Sequence, residues 1–517
     1  MKFDCGCEVN KDFNIENVPL DCKRTWELLQ KGFCKGLFQL DSSLGKHWCK
    51  EIIPSSIKDY ADITAIIRPG TLQCKLEGKS MTEHFAMRKN GKEEVKPYHP
   101  IVDNCLKDTY NLIVYQESLM ALGRDTANFT PTEVNKLRKS AGKKDSKLMS
   151  EMGKLYIEKA KEANILSEEQ AKEVWSWVKK SERYLFCLAH ACEYAIIGYW
   201  TAWIKAHFPL QFFCSWLRYA NDKIDPQKEI KELVQDAKEF NIPVKVPNFL
   251  DKKPGTYIKD EAVYFGLLNI KGIGESTLNK LSDHLPKTWE EMLYGYADRI
   301  NKTALEALIQ VGALPYNVSR TKMLYEYNKW KELSEREQSY ISKNLANIPL
   351  TQSLECYTTI SRKDGGPSNK NRLETIESLI KTLHNPPFSL EDSVYRIIAD
   401  ETRLLGAAIT YSQLDAVNDI KANATLKEVI DGKKGFMAVS CKIEEVKTFR
   451  VKKDGPNLGK LMAKVKLSDD TSTLDGLTVF PSSFQELSNV LIMGNLANVI
   501  LERDRNDGLY IKQASQL

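Results

Sequence analysis

At Phe436 the sequence changes period, and this switch constrains the fold more than any other feature of the chain. Before it, apolar residues recur at three- and four-residue steps, the spacing of one helix face. After it, short runs alternate apolar and polar residues between Gly, Asp and Asn turns, the spacing of half-buried strands. Such a chain has to build a large helical part and a smaller all-β part, each with its own core. At 517 residues it is long enough for several domains, on the usual ~100–200 residues each.

The helical part reads in pieces. Leu148–Ala163 and Glu168–Lys180 carry strong helix formers with apolar residues at helical steps. Tyr194–Phe208 is a longer apolar and aromatic helix, stopped by Pro209. Gln227–Phe240 is amphipathic, with Asp225 as N-cap and Pro226 at its first position. Pro243, Pro247 and Pro254 mark a linker. The β part predicts strands at Phe436–Lys447, Leu461–Ser468, Gly476–Phe480, Ala497–Leu501 and Leu509–Gln513. These signals divide the chain into residues 1–20, 21–240, 241–317, 318–435 and 436–517.

Composition excludes more than it assigns. No run of about 18 apolar residues exists, so no membrane span and no membrane partner are expected. Met1–Cys5 lacks the apolar core of a signal peptide. Twelve cysteines lie along the chain without framework spacing, which predicts reduced thiols in a cytoplasm. Cys5, Cys7, Cys22 and Cys34 lack paired Cys-x-x-Cys spacing, and no His stands at ligand spacing from them, so no zinc is expected. The net charge is only +5, so any attraction for nucleic acid has to be local.

Local basic character exists. In Lys136-Leu-Arg-Lys-Ser-Ala-Gly-Lys-Lys144, Lys136, Lys139 and Lys143 share one helix face, and Gly142 loosens its end. Several cations on one face suit phosphates; the alternative is a solvated basic face. Arg68-Pro69-Gly70 forms a rigid turn that fixes an arginine. Gln116 and Glu117 read as a helix start with an acidic first turn. Ile270-Lys-Gly-Ile-Gly-Glu275 has the apolar-x-Gly-apolar-Gly pattern of a helix-hairpin-helix. There Gly272 and Gly274 let the backbone approach DNA phosphates, and Lys271 adds charge. Leu305–Ala313 reads as a second, incomplete copy. The β part looks like an OB fold, whose exposed Phe449, Arg450, Lys452 and Lys453 would suit a single strand; the alternative is a solvated hairpin loop.

The order Gly36–Ser42, Ile67–Gly70, Val114–Glu117, Leu137–Lys144 and Phe186–Pro209, followed by the hairpins and the OB-like segment, resembles the fingers half of the bacterial DNA polymerase III alpha subunit, a C-family replicative polymerase. The resemblance implies a multidomain, mostly α fold (fingers and helix-hairpin-helix) ending in an all-β OB domain. It implies a DNA-directed DNA polymerase acting in replication, whose nucleotide-binding residues are Arg68, Arg138, Lys139, Lys143 and His190. Lys2-Phe3-Asp4 before Val18-Pro-Leu-Asp21 resembles the context of the third palm aspartate, so Asp4 becomes the candidate catalytic and metal-binding carboxylate, with Mg2+ as the ion. An Asp-x-Asp element is missing, which implies a separate PHP/palm chain as partner. Residues 1–20 would then be a palm remnant. Primer-template DNA, dNTP and a sliding clamp complete the implied partners, in the cytoplasm of a bacterium or a phage-infected host. The family reads Phe-Asn-Lys-Ser-His where this chain has Phe186-Cys-Leu-Ala-His190. That departure removes a cation and supports the alternative of an inactive DNA-binding factor derived from the polymerase.

Overall fold

The computed structural model describes all of the 517 residues except 1, 10, 11, 143–145, 182, 183, 282–284, 297, 298, 347, 418–421, 452–454 and 505–507. The described residues are mostly α-helical, with a closed β-barrel at the C-terminal end. They fall into two compact units, Met1–Pro209 and Leu210–Leu517.

The first unit is helical. It runs α1 (Lys23–Gln30), α2 (Ser43–Ile52), α3 (Ile57–Ile66), α4 (Pro69–Gln73), a two-residue hairpin β1 (Lys75–Leu76) and β2 (Lys79–Ser80), then α5 (Met81–Lys89), α6 (Pro100–Leu106), α7 (Gln116–Ala127), α8 (Pro131–Gly142), α9 (Ser146–Glu162), α10 (Glu168–Ser181) and α11 (Leu188–His207). Several starts are set by side-chain caps. Ser42 and Ser56 accept from the N–H groups of Gly45 and Asp59, and Ser80 with Glu83 forms a capping box on α5. The longest helix, α11, buries Ala191, Ala195, Gly198, Tyr199, Ala202, Trp203 and Ala206, one face at helical period. Its small residues admit a neighbour closely: a Cβ on Gly198 would lie 2.1 Å from the Tyr60 hydroxyl. A second core forms among α6–α10 from Val102, Leu119, Leu122, Phe129, Leu137, Met149, Tyr156 and Trp175.

The second unit opens within α12 (Pro209–Arg218) and continues with α13 (Pro226–Glu239). As the sequence predicts, Asp225 caps α13 and Pro226 is its first residue. A small sheet follows, β3 (Val244–Lys245), β4 (Tyr257–Lys259) and β5 (Ala262–Tyr264), with β5 in the middle. After it come α14 (Glu275–Leu278), α15 (Trp289–Tyr296), α16 (Lys302–Gln310) and further helices through residue 430.

The barrel consists of β6 (Met437–Arg450), β7 (Leu461–Ser468), β8 (Thr473–Val479), β9 (Leu496–Arg503) and β10 (Leu509–Gln516). Its cyclic order is β10-β8-β7-β6-β9, antiparallel except for β10 against β8. Every second residue points inward: Met437, Val439, Cys441 and Ile443 on β6, then Ala463, Val465 and Leu467 on β7. The period-two pattern is therefore the barrel wall itself.

Candidate functional site

Arg68 sits at the N-cap of α4, on the turn that Pro69 and Gly70 build. Its Nε donates to Ala65 O at 2.9 Å and its Nη2 to Tyr184 O at 2.8 Å. Its guanidinium lies 4.3 Å from the centre of the Phe186 ring. Partial burial pulls its pKa below the ordinary arginine value, which leaves it charged at neutral pH. Gly70 is required here, because a Cβ would lie 1.8 Å from the Tyr184 ring. On Phe186 the structure also places His190, with ring centres 5.7 Å apart, and His190 continues to Tyr194 at 3.8 Å. Two of the predicted nucleotide residues, Arg68 and His190, are thus gathered on one aromatic ring 118 to 4 residues away in sequence, at the start of α11.

The same helix start receives a carboxylate from another helix, α7. Val114–Gln116 pairs with Phe186 in a parallel bridge, through Gln116 N to Phe186 O at 2.8 Å and Phe186 N to Val114 O at 3.0 Å. The bridge delivers Glu117, in the acidic first turn of α7, to the N–H of Leu188 at 2.9 Å. An anion arriving at this helix N-terminus therefore meets Cys187-Leu188-Ala189 and a competing carboxylate.

On α8, Leu137, Ser140 and Ala141 face the core, whereas Lys136 and Lys139 are exposed and Arg138 is half-buried. Arg138 Nη2 donates to Asn135 Oδ1 at 3.2 Å. The helix ends at Gly142, and Lys143 lies outside the described residues. Lys205, near the end of α11, is not a surface cation. It is fully buried, and its Nζ donates to Phe33 O at 2.9 Å and Lys35 O at 2.7 Å, bracing the Gly36 loop.

In the predicted hairpin, Ile270 and Ile273 are buried while Lys271, Gly272 and Gly274 are exposed. Gly272 has φ +96°, a conformation that favours glycine, and Gly274 caps α14. The flanking pieces are short: a three-residue 3-10 turn, Leu267–Asn269, and the four-residue α14. In the incomplete copy, α16 ends at Gln310 before Gly312 at φ +72°. On the barrel, Phe449 and Arg450 are exposed at the end of β6, and Arg450 Nη1 donates to Gly459 O at 2.8 Å. Lys452 and Lys453 lie outside the described residues.

The expectation of no zinc is overturned. The ligand atoms of Cys5, Cys7, Cys22 and His207 all lie within 4.8 Å of one another. Cys34, grouped with these cysteines in the sequence, is absent from the cluster and sits beside Cys49 instead. His207 takes the fourth place from the far end of α11, 185 residues after Cys22. No sequence spacing could signal that, since the helix path alone brings it back. Burial, with the Cys5 and Cys22 thiols alongside, pushes the Cys7 thiol up to about 12. Burial likewise lowers the His207 pKa, so the ring is neutral at neutral pH. Asp4 is exposed, between Phe3, which packs edge-on against His207, and Cys5 of the cluster.

A family profile for the bacterial DNA polymerase III alpha subunit finger domain matches residues 6–164. DNA polymerase III subunit alpha of Aquifex aeolicus (strain VF5) is 32% identical over 392 residues, 74% of this chain and 32% of that protein. Its counterpart in Pseudomonas aeruginosa (strain PAO1) is 31% identical over 313 residues, 58% of this chain and 26% of its own length. That of Staphylococcus aureus (strain N315) is 25% identical over 503 residues, 96% of this chain and 42% of its own length. The chain is homologous to these alpha subunits and spans about a quarter to two fifths of their length.

Proposed function

We propose that this chain supplies the fingers and DNA-binding part of a C-family DNA polymerase, holding dNTP and primer-template while a palm polypeptide completes the nucleotidyl-transfer centre. The observation that carries the reading is the finger-domain match over residues 6–164, which falls on the compact helical unit containing Arg68. The gathering of Arg68 and His190 on Phe186 supports a nucleotide site there. Arg138 and Lys139 would add positive charge for the triphosphate. Asp4 is this chain's candidate for a carboxylate on a catalytic metal ion. Lys271, Gly272 and Gly274 would hold duplex phosphates without reading sequence. The barrel's cyclic strand order, with its one parallel pair, supports the OB reading, and Phe449 and Arg450 would face a single strand.

The start of α11 favours a second reading, a DNA-binding factor that no longer polymerises. There Glu117 occupies the Leu188 N–H, and residues 187–189 offer no cation. Primer extension with the chain and a candidate palm polypeptide separates the two. The polymerase reading expects extension only with both present, abolished by Asp4→Ala and lowered about a hundredfold by Arg138→Ala. Salt-sensitive DNA binding without extension in any pairing would leave the DNA-binding factor.

A further inference from the structure

We propose that Cys5, Cys7, Cys22 and His207 bind one zinc ion in a closed, structural site that fastens the N-terminal turn to the end of α11. The donor set is three thiols and one imidazole, the chemistry of structural zinc. A tetrahedral ion at the usual Zn–S and Zn–N lengths would hold sulfurs about 3.8 Å apart and each sulfur about 3.6 Å from the nitrogen. His207 Nε2 is 3.2 Å from Cys5 Sγ and 3.7 Å from Cys22 Sγ, and the widest separation in the set is no more than 4.8 Å. Shifts of about an ångström or less bring the four atoms onto one ion.

The surroundings orient the ligands. His207 Nδ1 lies 2.9 Å from Trp203 O, and a carbonyl can only accept, so the proton is on Nδ1 and the Nε2 lone pair faces the thiols. Trp203 stacks on the imidazole at 4.1 Å and Phe3 closes its edge at 4.7 Å, which fixes the ring plane. The Cys5-Gly6-Cys7 turn is tight: Phe3 N donates to Cys7 O and Gly6 N to Phe3 O, both at 2.9 Å. Gly6 adopts φ +86°, which lets both thiols turn the same way. Cys7, Cys22 and His207 are buried, and Cys22 stands at the N-cap of α1, where its N–H donates to Tyr199 Oη at 3.1 Å. Four protein ligands leave no open position for water or substrate, so the site holds structure and does no catalysis. Residues 2–8 are also joined by the Lys2–Glu8 β-bridge, and Phe3 packs edge-on against Trp203, His207 and Phe208. The inference stands independently of the polymerase reading.

The test uses the full chain, produced in zinc-supplemented medium and dialysed. Elemental analysis should find one zinc per chain. Replacement by cobalt(II) should give the visible bands of a tetrahedral site with sulfur-to-metal charge transfer. Cys5→Ser combined with Cys7→Ser should lose the ion, and Cys34→Ser should keep it. Stripping zinc with a chelator should speed amide exchange of residues 2–9. Absence of both stoichiometric zinc and the cobalt spectrum in the unaltered chain would overturn the proposal, as would undiminished zinc in the Cys5/Cys7 variant. Because the cobalt spectrum is read on the unaltered chain, a variant that fails to fold does not shield the inference.

Discussion

Arg372 and Glu337 form a two-bond ion pair that is open to a clean test. The arginine donates through Nε at 2.9 Å and Nη2 at 2.6 Å to the two carboxylate oxygens, and the Glu337 side chain is 2% exposed. Ser334 N adds a bond at 2.8 Å. Burial alone would raise the Glu337 pKa, but Arg372 and Ser334 outweigh it and hold the carboxyl below its ordinary 4.5. Arg372→Met should cost about 3 kcal/mol in urea unfolding at neutral pH, because it strands a buried carboxylate. A depressed folded pKa stabilises above the unfolded value, and that contribution fades as pH falls through the folded value. The gap between variant and parent should therefore narrow below pH 4.5; a gap constant from pH 7 to 3 would contradict this account. Single residues were unevenly legible. Arg68 was readable because Pro69 and Gly70 announce a turn. The bracing role of Lys205 was not, since its acceptors lie some 170 residues earlier.

Elements were the most legible scale. The predicted second strand, Leu461–Ser468, matches β7 residue for residue, because turns bound it on both sides and its alternation is unbroken. The glycine turn at Gly272 was legible too, since its φ of +96° is one that glycine favours. If the hairpin contacts duplex phosphates, Lys271→Ala should weaken binding alike on unrelated sequences and reduce the salt slope by about one. An unchanged slope would remove Lys271 from the interface. At α11 the start is the deciding feature. Replacing Cys187-Leu188-Ala189 with Asn-Lys-Ser should tighten dNTP binding, measured by calorimetry, because the lysine offsets Glu117 and adds a phosphate partner. No gain in affinity would argue against a nucleotide site at this helix.

At the scale of the molecule, the helical and barrel cores belong to different compact units, so unfolding should show more than one calorimetric transition. Gly198→Ala forces a methyl onto the buried Tyr60, whose hydroxyl donates to Phe38 O at 2.6 Å. It should cost about 1–3 kcal/mol and lower the transition of the first unit while leaving the barrel's in place. A single transition shifted as a whole would refute the separation. The sequence by itself determined the change of architecture near Phe436, the Asp225 cap of α13 and the likeness to the alpha subunits that the comparisons support. Those properties are local, set by period, caps and turns within a dozen residues. Only the tertiary structure decided which distant groups meet: Arg68 with His190 on Phe186, Glu117 with Leu188, and His207 with three cysteines. Chain separation carries no record of spatial distance, so a ligand 185 residues from its neighbour becomes visible only when helix α11 runs its course and brings it home.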